Sequence, residues 1–270
     1  MKEFNKYLTS WELVAEGAPI VTPQSKLLPV RYKNTPCMLK MATSTEERDG
    51  GNLMVWWGGQ GAANILAHDG NALLMERAIG TKSLTLMAQE QQDTQASLII
   101  CEVVAKLHTH EKKTPPTSLI PLALRFKSLH DAASAHGGLF MKAATVAEEL
   151  LNNPEPSVVL HGDIHHGNIL DFGERGWLAI DPKGLLGERG FDYANIFCNP
   201  NSDVACNAGR LEQQATVIAE AAGLDRTRLI QWILAYAGLS AAWHLEDGTN
   251  SELAITIANQ AATALSMSRC

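Results

Sequence analysis

Two carboxylates and one carboxamide lie close together in the second half of the sequence. Asp163 and Asn168 belong to residues 160–170 (LHGDIHHGNIL), and Asp181 follows thirteen residues after Asn168. A positioned carboxylate can orient and deprotonate a hydroxyl group, and amide and carboxylate oxygens suit a hard cation such as Mg²⁺. Phosphoryl transfer needs both, because the protein orients an acceptor and neutralises charge on the transferred group. The pattern predicts Asp163 as the base and Asn168 with Asp181 as magnesium ligands.

These side chains need a hairpin to bring them together. Residues 168–172 are predicted to form a strand, 173–176 a turn and 177–181 the returning strand, so that Asn168 and Asp181 lie at the same end. Asp171 opens an Asp-Phe-Gly sequence, which is the metal motif of protein kinases. It follows Asn168 too closely for a returning strand. Asp171 is therefore predicted to be a strand-end or turn carboxylate.

The histidines of the same segment allow another interpretation. His161, His165 and His166 beside Asp163 could ligate zinc or a pair of metals in a hydrolase. The sequence offers no second cluster of His and Asp to complete such a shell. The alternative is that His161 is buried and bonded to the backbone near the base, while His165 and His166 line the loop.

The rest of the chain divides into two parts that must position this segment. Up to about residue 78, short apolar runs around turn-forming residues predict two hairpins, with one helix between them capped by Ser44 or Thr45. After Gly80 the apolar spacing is helical, as in residues 96–107. Further helices are predicted at residues 119–135, 140–152, 211–222, 227–245 and 253–267. A cleft is expected at residues 75–80, where the two parts join.

Composition limits the class of partner. The formal net charge of −7 argues against nucleic acid or an anionic membrane as the main partner and favours a small cationic hydroxylated substrate. The five cysteines are odd in number and include no C-x-x-C pair, which indicates reduced thiols. The first six residues lack the apolar core that a signal peptide needs, and no apolar run approaches eighteen residues, so neither an exported nor a membrane-spanning protein is expected. We expect a soluble cytoplasmic protein, as a monomer or weak dimer.

The combined motifs resemble a known family. HGDxxxxN followed by IDPKG at residues 180–184 is similar to the aminoglycoside phosphotransferase family of the protein-kinase-like fold, especially its streptomycin 6-phosphotransferase and hydroxyurea phosphotransferase group. Similar segments recur at residues 36–40 (PCMLK), 55–62 (VWWGGQGA), 73–78 (LLMERA) and 187–192 (GERGFD). The resemblance implies an α+β fold with two lobes, a β-rich nucleotide-binding lobe over residues 1–78 and a helical lobe over residues 79–270.

The resemblance also implies a nucleotide site in the first lobe. Lys40 ends an apolar strand, where a lysine is costly unless paired or phosphate-bound, and it would contact the phosphates of ATP. Glu47 on the next helix would hold it, with Glu46 as the less favoured alternative. The segment Glu76, Arg77 and Ala78 would offer backbone groups to adenine. Residues 16–25 contain no G-x-G-x-x-G, so no phosphate contact is assigned there, and residues 59–61 (GQG) are predicted to form a turn.

The acceptor side is less determined. The resemblance implies ATP and Mg²⁺ as cofactors, streptomycin as the acceptor at its 6-hydroxyl, and Asp192 as a support beneath the catalytic loop. Acidic and aromatic residues would suit a guanidinium-bearing acceptor. The candidates are Glu188, Trp243, His244, Glu246 and Asp247. Two alternatives remain open, a kinase of another metabolite or of hydroxyurea, and a nucleotide-binding regulator without turnover.

Overall fold

The computed structural model describes residues 2–109 and 114–267. The strands are β1 (Val14–Ala15), β2 (Ile20–Val21), β3 (Ser25–Tyr32), β4 (Thr35–Ala42), β5 (Ile65–Asp69), β6 (Ala72–Glu76), β7 (Ile120–Pro121), β8 (Ser157–Leu160), β9 (Ile169–Asp171), β10 (Trp177–Ala179) and β11 (Leu185–Glu188). The helices are α1 (Asn5–Ser10), α2 (Thr45–Trp57), α3 (Leu84–Gln89), α4 (Asp93–His108), α5 (Leu122–Arg125), α6 (Lys127–His136), α7 (Gly138–Asn152), α8 (Gly190–Ala194), α9 (Ser202–Ala205), α10 (Arg210–Ala222), α11 (Arg226–Glu246) and α12 (Glu252–Met267).

An antiparallel sheet in the first part of the chain carries Lys40. Its strand order is β1-β3-β4-β6-β5, and β2 pairs with β3. The two-residue turn between β3 and β4 has positive φ at Lys33 (45°) and Asn34 (68°), the geometry that matches the twist of a hairpin. Gly70, with φ of 59°, makes the corresponding turn between β5 and β6. Both predicted hairpins are confirmed, and β4 is an inner strand on which Lys40 faces Leu27 and Leu73.

Helix α2 lies between β4 and β5 in the chain, and its apolar side chains pack in the core of the helical part. Its N-cap is Ser44, one of the two residues predicted for that position, and the Ser44 hydroxyl accepts a hydrogen bond from the Glu47 amide at 3.2 Å. It ends at Gly58, a left-handed residue that suits a helix C-terminus. The turn predicted at residues 59–61 follows and hydrogen-bonds to β10 through Gly61 and Ala179. The C-terminal end of α2 is therefore joined to the β9–β10 hairpin that follows Asn168.

The helical part packs around α11, which is buried along most of its length. Helices α4, α7, α10, α11 and α12 lie where the apolar spacing predicted helices. The helix predicted at residues 119–135 is wrong in two respects. Ile120 and Pro121 instead form a strand parallel to β11, and the helix is interrupted at the buried Phe126. A two-residue strand is too short to show a periodic pattern of apolar residues. Its partner strand also lies more than sixty residues away in the sequence, so no local signal marks the pairing.

Two apolar cores support the two parts of the chain. A smaller core lies on the sheet and includes Phe4, Leu28 and Leu39, while the larger core joins the helices to the end of α2 at Trp57. The hairpin β9–β10 rests on the larger core, and the Ile180 amide donates to the Asn168 carbonyl at 2.9 Å just beyond it. Asn168 and the end of the returning strand are thus adjacent, as predicted. No helix of the described residues is long and apolar enough to cross a membrane.

Candidate active site

Asp163 is held in place by two carboxamides. The Asn195 Nδ2 atom donates to Asp163 Oδ1 at 3.0 Å, and the Asn168 Nδ2 atom donates to the Asp163 carbonyl at 2.9 Å and to Oδ2 at 3.3 Å. Both oxygens of a half-buried carboxylate are therefore oriented by neutral donors. Because its nitrogen is engaged, Asn168 has its Oδ1 atom left for another ligand. No feature of the sequence had indicated Asn195.

The loop that carries Asp163 is anchored by the buried Asp192. The Asp192 Oδ1 atom accepts the Gly162 amide at 2.7 Å, and Oδ2 accepts the His161 amide and His108 Nε2, both at 2.9 Å. Hydrogen bonds from backbone amides to a buried carboxylate are strong, and they fix the backbone as well as the side chain. The predicted support of the loop by Asp192 is confirmed. The contribution of His108 was missed, since no local motif marks it.

Two histidines of the loop, His161 and His165, hydrogen-bond to backbone groups of the protein through their rings. His161 is fully buried, donates from Nε2 to the Ile180 carbonyl at 2.8 Å and accepts the Asp163 amide at Nδ1 at 3.2 Å. Burial lowers the pKa of His161, which favours the neutral ring. His165 Nδ1 accepts the Gly167 amide at 3.0 Å. The prediction of a buried, backbone-bonded His161 is confirmed, and a ring with both nitrogens engaged is no metal ligand.

The metallohydrolase alternative also lacks a ligand cluster. Across residues 2–109 and 114–267, no three His, Cys, Asp or Glu side chains gather closely enough to hold a metal ion. The ring of His166 is buried, and burial lowers its pKa to about 4. Its nearest acidic partner, Asp93, lies 3.9 Å away and is itself bound by Arg210 at 2.7 Å. This ring therefore belongs to the packing behind the loop.

Four charged side chains form an ionic cluster opposite the loop: Lys40, Glu47, Asp181 and Lys183. The Lys40 ammonium pairs with Glu47 Oε2 and with Asp181 Oδ1. The Lys183 ammonium donates to the other Glu47 oxygen, Oε1, at 2.7 Å. Glu46 instead pairs with Arg125 at 2.5 Å. Of the two glutamates considered, Glu47 is thus the partner of Lys40.

The ion pairs of the cluster favour the charged forms of Asp181 and Lys183 despite their burial. Burial opposes the charged form of Asp181, but the Lys40 ammonium outweighs it, so the pKa of Asp181 lies below its ordinary value. Burial likewise opposes the charged form of Lys183, but the hydrogen bond to Glu47 and the negative charges of Asp181 and Glu47 together outweigh it and raise the pKa of Lys183. Opposite charges at contact distance explain both directions. These shifts favour the carboxylate form of Asp181 and the ammonium form of Lys183.

A cavity of about 320 Å³ opens beside the ionic cluster. Its walls come from the β2–β3 turn, from the sheet, from α2 and from the segment after β10. All four cluster residues line it, together with apolar residues such as Leu27 and Met75. Apolar walls around a few charged groups are typical of a ligand site. Asp163 and Asn168 lie outside this lining and form the second side of the site.

Asp171 has a structural position at the junction of the two parts. Its Oδ1 atom accepts the Gly173 amide at 2.9 Å, and Oδ2 accepts the Lys82 amide at 3.2 Å. Its carbonyl accepts the Gly80 amide at 2.9 Å, and a Cβ atom on Gly80 would lie only 1.9 Å from the Asp171 carboxyl carbon. The prediction of a strand-end or turn carboxylate is confirmed.

The predicted adenine segment connects to other parts of the protein through its side chains. Glu76 accepts the Asn64 amide at 2.5 Å and pairs with Arg175. Arg77 pairs with Glu16 at 2.9 Å. Among the described residues the Ala78 amide has no hydrogen-bond partner. None of the three residues lines the cavity beside the ionic cluster, and their contact with adenine stays a prediction.

Glu188 was predicted as an acceptor contact, and the structure contradicts this. Its buried carboxylate accepts Arg228 Nε and Trp232 Nε1, each at 2.7 Å, and the Glu155 amide at 3.2 Å. Burial opposes ionisation, but the bonds from Arg228 and Trp232 outweigh it and lower the pKa of Glu188. A carboxylate so fully engaged has no oxygen left for a substrate. Its partners are distant in sequence, which is why the motif GERGFD gave no sign of them.

The other acceptor candidates lie at the C-terminal end of α11. Trp243 packs on the Arg125 guanidinium at 5.2 Å, His244 bonds to Thr249 at 2.7 Å, and Glu246 accepts the Ser128 hydroxyl at 2.9 Å. Asp247 follows as the C-cap of the helix. None of these contacts involves Asp163 or the ionic cluster. A role for these residues in acceptor binding stays a prediction.

Comparison with known proteins places these features in a family. The family model for aminoglycoside/hydroxyurea antibiotic resistance kinases matches residues 10–248. A streptomycin 3''-kinase from Klebsiella pneumoniae is 47% identical over 243 residues, covering 88% of this chain and 91% of that protein. A streptomycin 6-kinase from Streptomyces glaucescens is 28% identical over 265 residues, covering 90% and 82%. A hydroxyurea phosphotransferase from Kitasatospora aureofaciens is 27% identical over 256 residues, covering 90% and 72%.

Solved structures agree with the fold. A thermostable mutant of aminoglycoside phosphotransferase APH(4)-Ia, in complex with ADP and hygromycin B, superposes with a TM-score of 0.67 at 15% identity and covers 98% of each chain. An ethanolamine kinase from Plasmodium vivax gives 0.65 at 14% identity, covering 92% of this chain and 82% of that one. The predicted protein-kinase-like α+β fold is confirmed. The chain therefore belongs to the aminoglycoside/hydroxyurea antibiotic resistance kinase family and is a phosphotransferase that acts on hydroxyl groups.

Proposed function

We propose that this kinase transfers the γ-phosphoryl group of ATP to a hydroxyl group of streptomycin. The similarity to a streptomycin 3''-kinase at 47% identity supports this acceptor, and a net charge of −7 suits a cationic one. The same similarity favours the 3''-hydroxyl over the 6-hydroxyl that the sequence motifs had implied, because the streptomycin 6-kinases are only 28% identical. The 6-hydroxyl is the alternative position.

The observation that carries the chemistry is the arrangement of Asp163. Its carboxylate is fixed by Asn168 and Asn195 on a loop that Asp192 anchors. A carboxylate so held can orient an acceptor hydroxyl and accept its proton as the oxygen attacks the γ-phosphorus. The bond between that phosphorus and the β–γ bridging oxygen breaks, and ADP leaves. Asp163 thus carries the proton that the acceptor loses.

The nucleotide is proposed to occupy the cavity beside the ionic cluster. Lys40 lies in its wall and would contact the phosphates, while Glu47 holds the lysine in position. The adenine edge would meet the backbone at Glu76, Arg77 and Ala78, where the Ala78 amide is without a partner in the described part of the chain. In this proposal the adenine site lies at the boundary of the two lobes predicted from the sequence, 1–78 and 79–270.

Asn168 and Asp181 are proposed to hold Mg²⁺. Mg²⁺ is bound by few protein oxygens together with substrate phosphates, and these two residues offer such oxygens. The Asn168 nitrogen is engaged by Asp163, which leaves Oδ1, and the lowered pKa of Asp181 keeps its carboxylate ionised. The residues therefore fit the ion. When bound, Mg²⁺ neutralises charge on the phosphates.

Acceptor profiling tests the proposal. ADP release is measured for the purified protein with ATP, Mg²⁺ and streptomycin, hydroxyurea, hygromycin B or ethanolamine, and the phosphorylated position is mapped by NMR. We expect turnover with streptomycin and phosphate on the 3''-hydroxyl. Phosphate on the 6-hydroxyl would overturn the position and keep the acceptor. Turnover with another compound but not with streptomycin would overturn the acceptor, and stabilisation by Mg-ATP without any ADP release would favour a regulator.

A further inference from the structure

Lys183 is a second lysine in the nucleotide cavity, and the mechanism above gives it no role. Its ammonium lies 2.7 Å from Glu47 Oε1 and 3.5 Å from Gln24 Oε1 in the β2–β3 turn, and its side chain is only 12% exposed. Lys40 takes the other oxygen of Glu47. Two ammonium groups therefore converge on one carboxylate, and both line the cavity. An enclosed lysine of this kind is rare unless it is paired or binds an anion.

The backbone of Lys183 is held between α2 and the catalytic loop. Its amide donates to the His161 carbonyl at 2.7 Å, two residues before Asp163. On the other side, a Cβ atom on Gly50 of α2 would lie 2.1 Å from the Pro182 carbonyl oxygen, so the helix touches this segment directly. The backbone of Lys183 is thus fixed against the loop that carries Asp163, while its ammonium group contacts Glu47 and Gln24 in the cavity wall.

The charges of the cluster leave Lys183 available to a phosphate group. Lys40 and Lys183 balance Glu47 and Asp181 before any ligand binds. A cation at Asp181 and a triphosphate in the cavity change that balance, because Lys40 loses a carboxylate partner and a polyanion arrives. In the described part of the chain Lys183 pairs with one carboxylate, Glu47, which it shares with Lys40. A phosphoryl oxygen can therefore replace Glu47 as the partner of Lys183 at little electrostatic cost.

We propose that Lys183 is a catalytic residue that contacts the γ-phosphoryl group while it passes from ADP to the acceptor. This rests on the proposed phosphoryl transfer and extends it. Lys183 keeps its proton and contributes positive charge where negative charge shifts during transfer, which is the effect of a preorganised cation in such reactions. Lys40, on the inner strand β4, would contact the phosphates that remain in ADP.

Steady-state kinetics of Lys183→Met and Lys183→Arg test the proposal, with the exposed Lys142→Met on α7 as the matched control. The turnover number, the KM for ATP and the affinity for ADP are measured in each protein. We expect kcat of Lys183→Met to fall by about 100-fold, as for the loss of one preorganised donor. The affinity for ADP, which lacks the γ-phosphate, should stay within about 3-fold, and Lys183→Arg should recover about 10-fold of the lost rate.

Two outcomes overturn the proposal. One is a kcat of Lys183→Met within about 3-fold of wild type, and the other is a loss of ADP affinity as large as the loss of kcat. Thermal unfolding of each variant shows whether it folds, and if the methionine variant does not, Lys183→Gln and Lys183→Arg decide by the same criteria. Rates are compared with wild type for whichever acceptor it phosphorylates, or for transfer to water if there is none. If the proposed acceptor is wrong, the wild-type protein itself does not phosphorylate it. If the proposed role of Lys183 is wrong, the error shows in the comparison of the variants with wild type.

Discussion

The proposed nucleotide side and the proposed acceptor side of the site are built from different interactions. On the nucleotide side, the charged side chains of Lys40, Glu47, Asp181 and Lys183 are partners of one another. On the acceptor side, Asp163 is oriented by neutral amides, and its loop is fixed through backbone hydrogen bonds to a buried carboxylate. The first arrangement consists of exchangeable ion pairs. The second consists of bonds that no ligand can replace.

This difference separates adaptation from preorganisation. Ion pairs among side chains can be exchanged for contacts with phosphate and Mg²⁺, because each charge finds a new partner of the opposite sign. Backbone bonds such as that from Gly162 to Asp192 hold the base in one place before a substrate arrives. Catalysis gains most from groups that need no rearrangement at the moment of reaction. We therefore expect the cluster to respond to nucleotide and the loop to stay unchanged.

The largest effect should come from Asp181, the carboxylate of the ionic cluster that is proposed to bind Mg²⁺. Replacing Asp181 with Asn removes an anionic oxygen, so we expect kcat/KM to fall by about 100-fold to 1000-fold. The control is Asp171→Asn, which changes a nearby carboxylate engaged by the Gly173 and Lys82 amides. Its activity should stay within about 3-fold of wild type, since the loss of a hydrogen bond to backbone amides affects stability more than rate. Equal losses in the two variants would contradict the assignment.

An intermediate effect should come from the anchor of the loop. Asp192→Asn turns an amide nitrogen toward the donors that the carboxylate accepted, among them the His108 ring. We expect the free energy of unfolding to fall by about 3 kcal/mol, the typical cost of breaking a buried charged network. Denaturant unfolding measures this, with the exposed Asp131→Asn as control. A cost for Asp192→Asn below about 0.5 kcal/mol, the range of surface changes, would show that the loop is held by other contacts.

The smallest effect on activity should come from Glu188. Glu188→Gln removes the negative charge and replaces one of the two acceptor oxygens with an amide nitrogen, and it should lower the free energy of unfolding by about 2 kcal/mol, while the KM for the acceptor stays within about 2-fold. The folded-state pKa of Glu188 is lowered, so its ionised form stabilises the protein above the ordinary pKa of a glutamate. That stabilisation is lost as the pH falls from the ordinary pKa of a glutamate through the lower folded-state pKa of Glu188. The stability difference between wild type and variant should therefore shrink on acidification, and a raised acceptor KM would restore Glu188 as an acceptor contact.

Local features were predictable where one short segment determines them. Ser44 before an acidic first turn gave the start of α2, and the Asp69-Gly70 step gave the turn of its hairpin. The thirteen residues from Asn168 to Asp181 are enough for a hairpin that returns to Asn168, whereas the three residues from Asn168 to Asp171 are not. The sequence therefore predicted that Asp171 lies at the strand end or turn. Each of these predictions depends on rules that operate within a few residues.

Features that depend on distant partners were not predictable. Glu188 looked like a free carboxylate, since nothing near it in sequence reveals Arg228 or Trp232. The same holds for Asn195, whose contact with Asp163 spans more than thirty residues. The parallel pairing of Ile120–Pro121 with β11 is also a product of the tertiary fold. A single sequence carries little information about such contacts, because many different side chains could satisfy them.

The central claim is that Asp163 acts on the acceptor hydroxyl, and Asp163→Asn tests it most directly. Asparagine keeps the shape of the side chain and its contact with Asn195 but removes the base. We predict that the rate of phosphoryl transfer in a single turnover falls by about 1000-fold while the affinity for ATP stays within about 3-fold. Transfer at more than about one tenth of the wild-type rate would contradict the account.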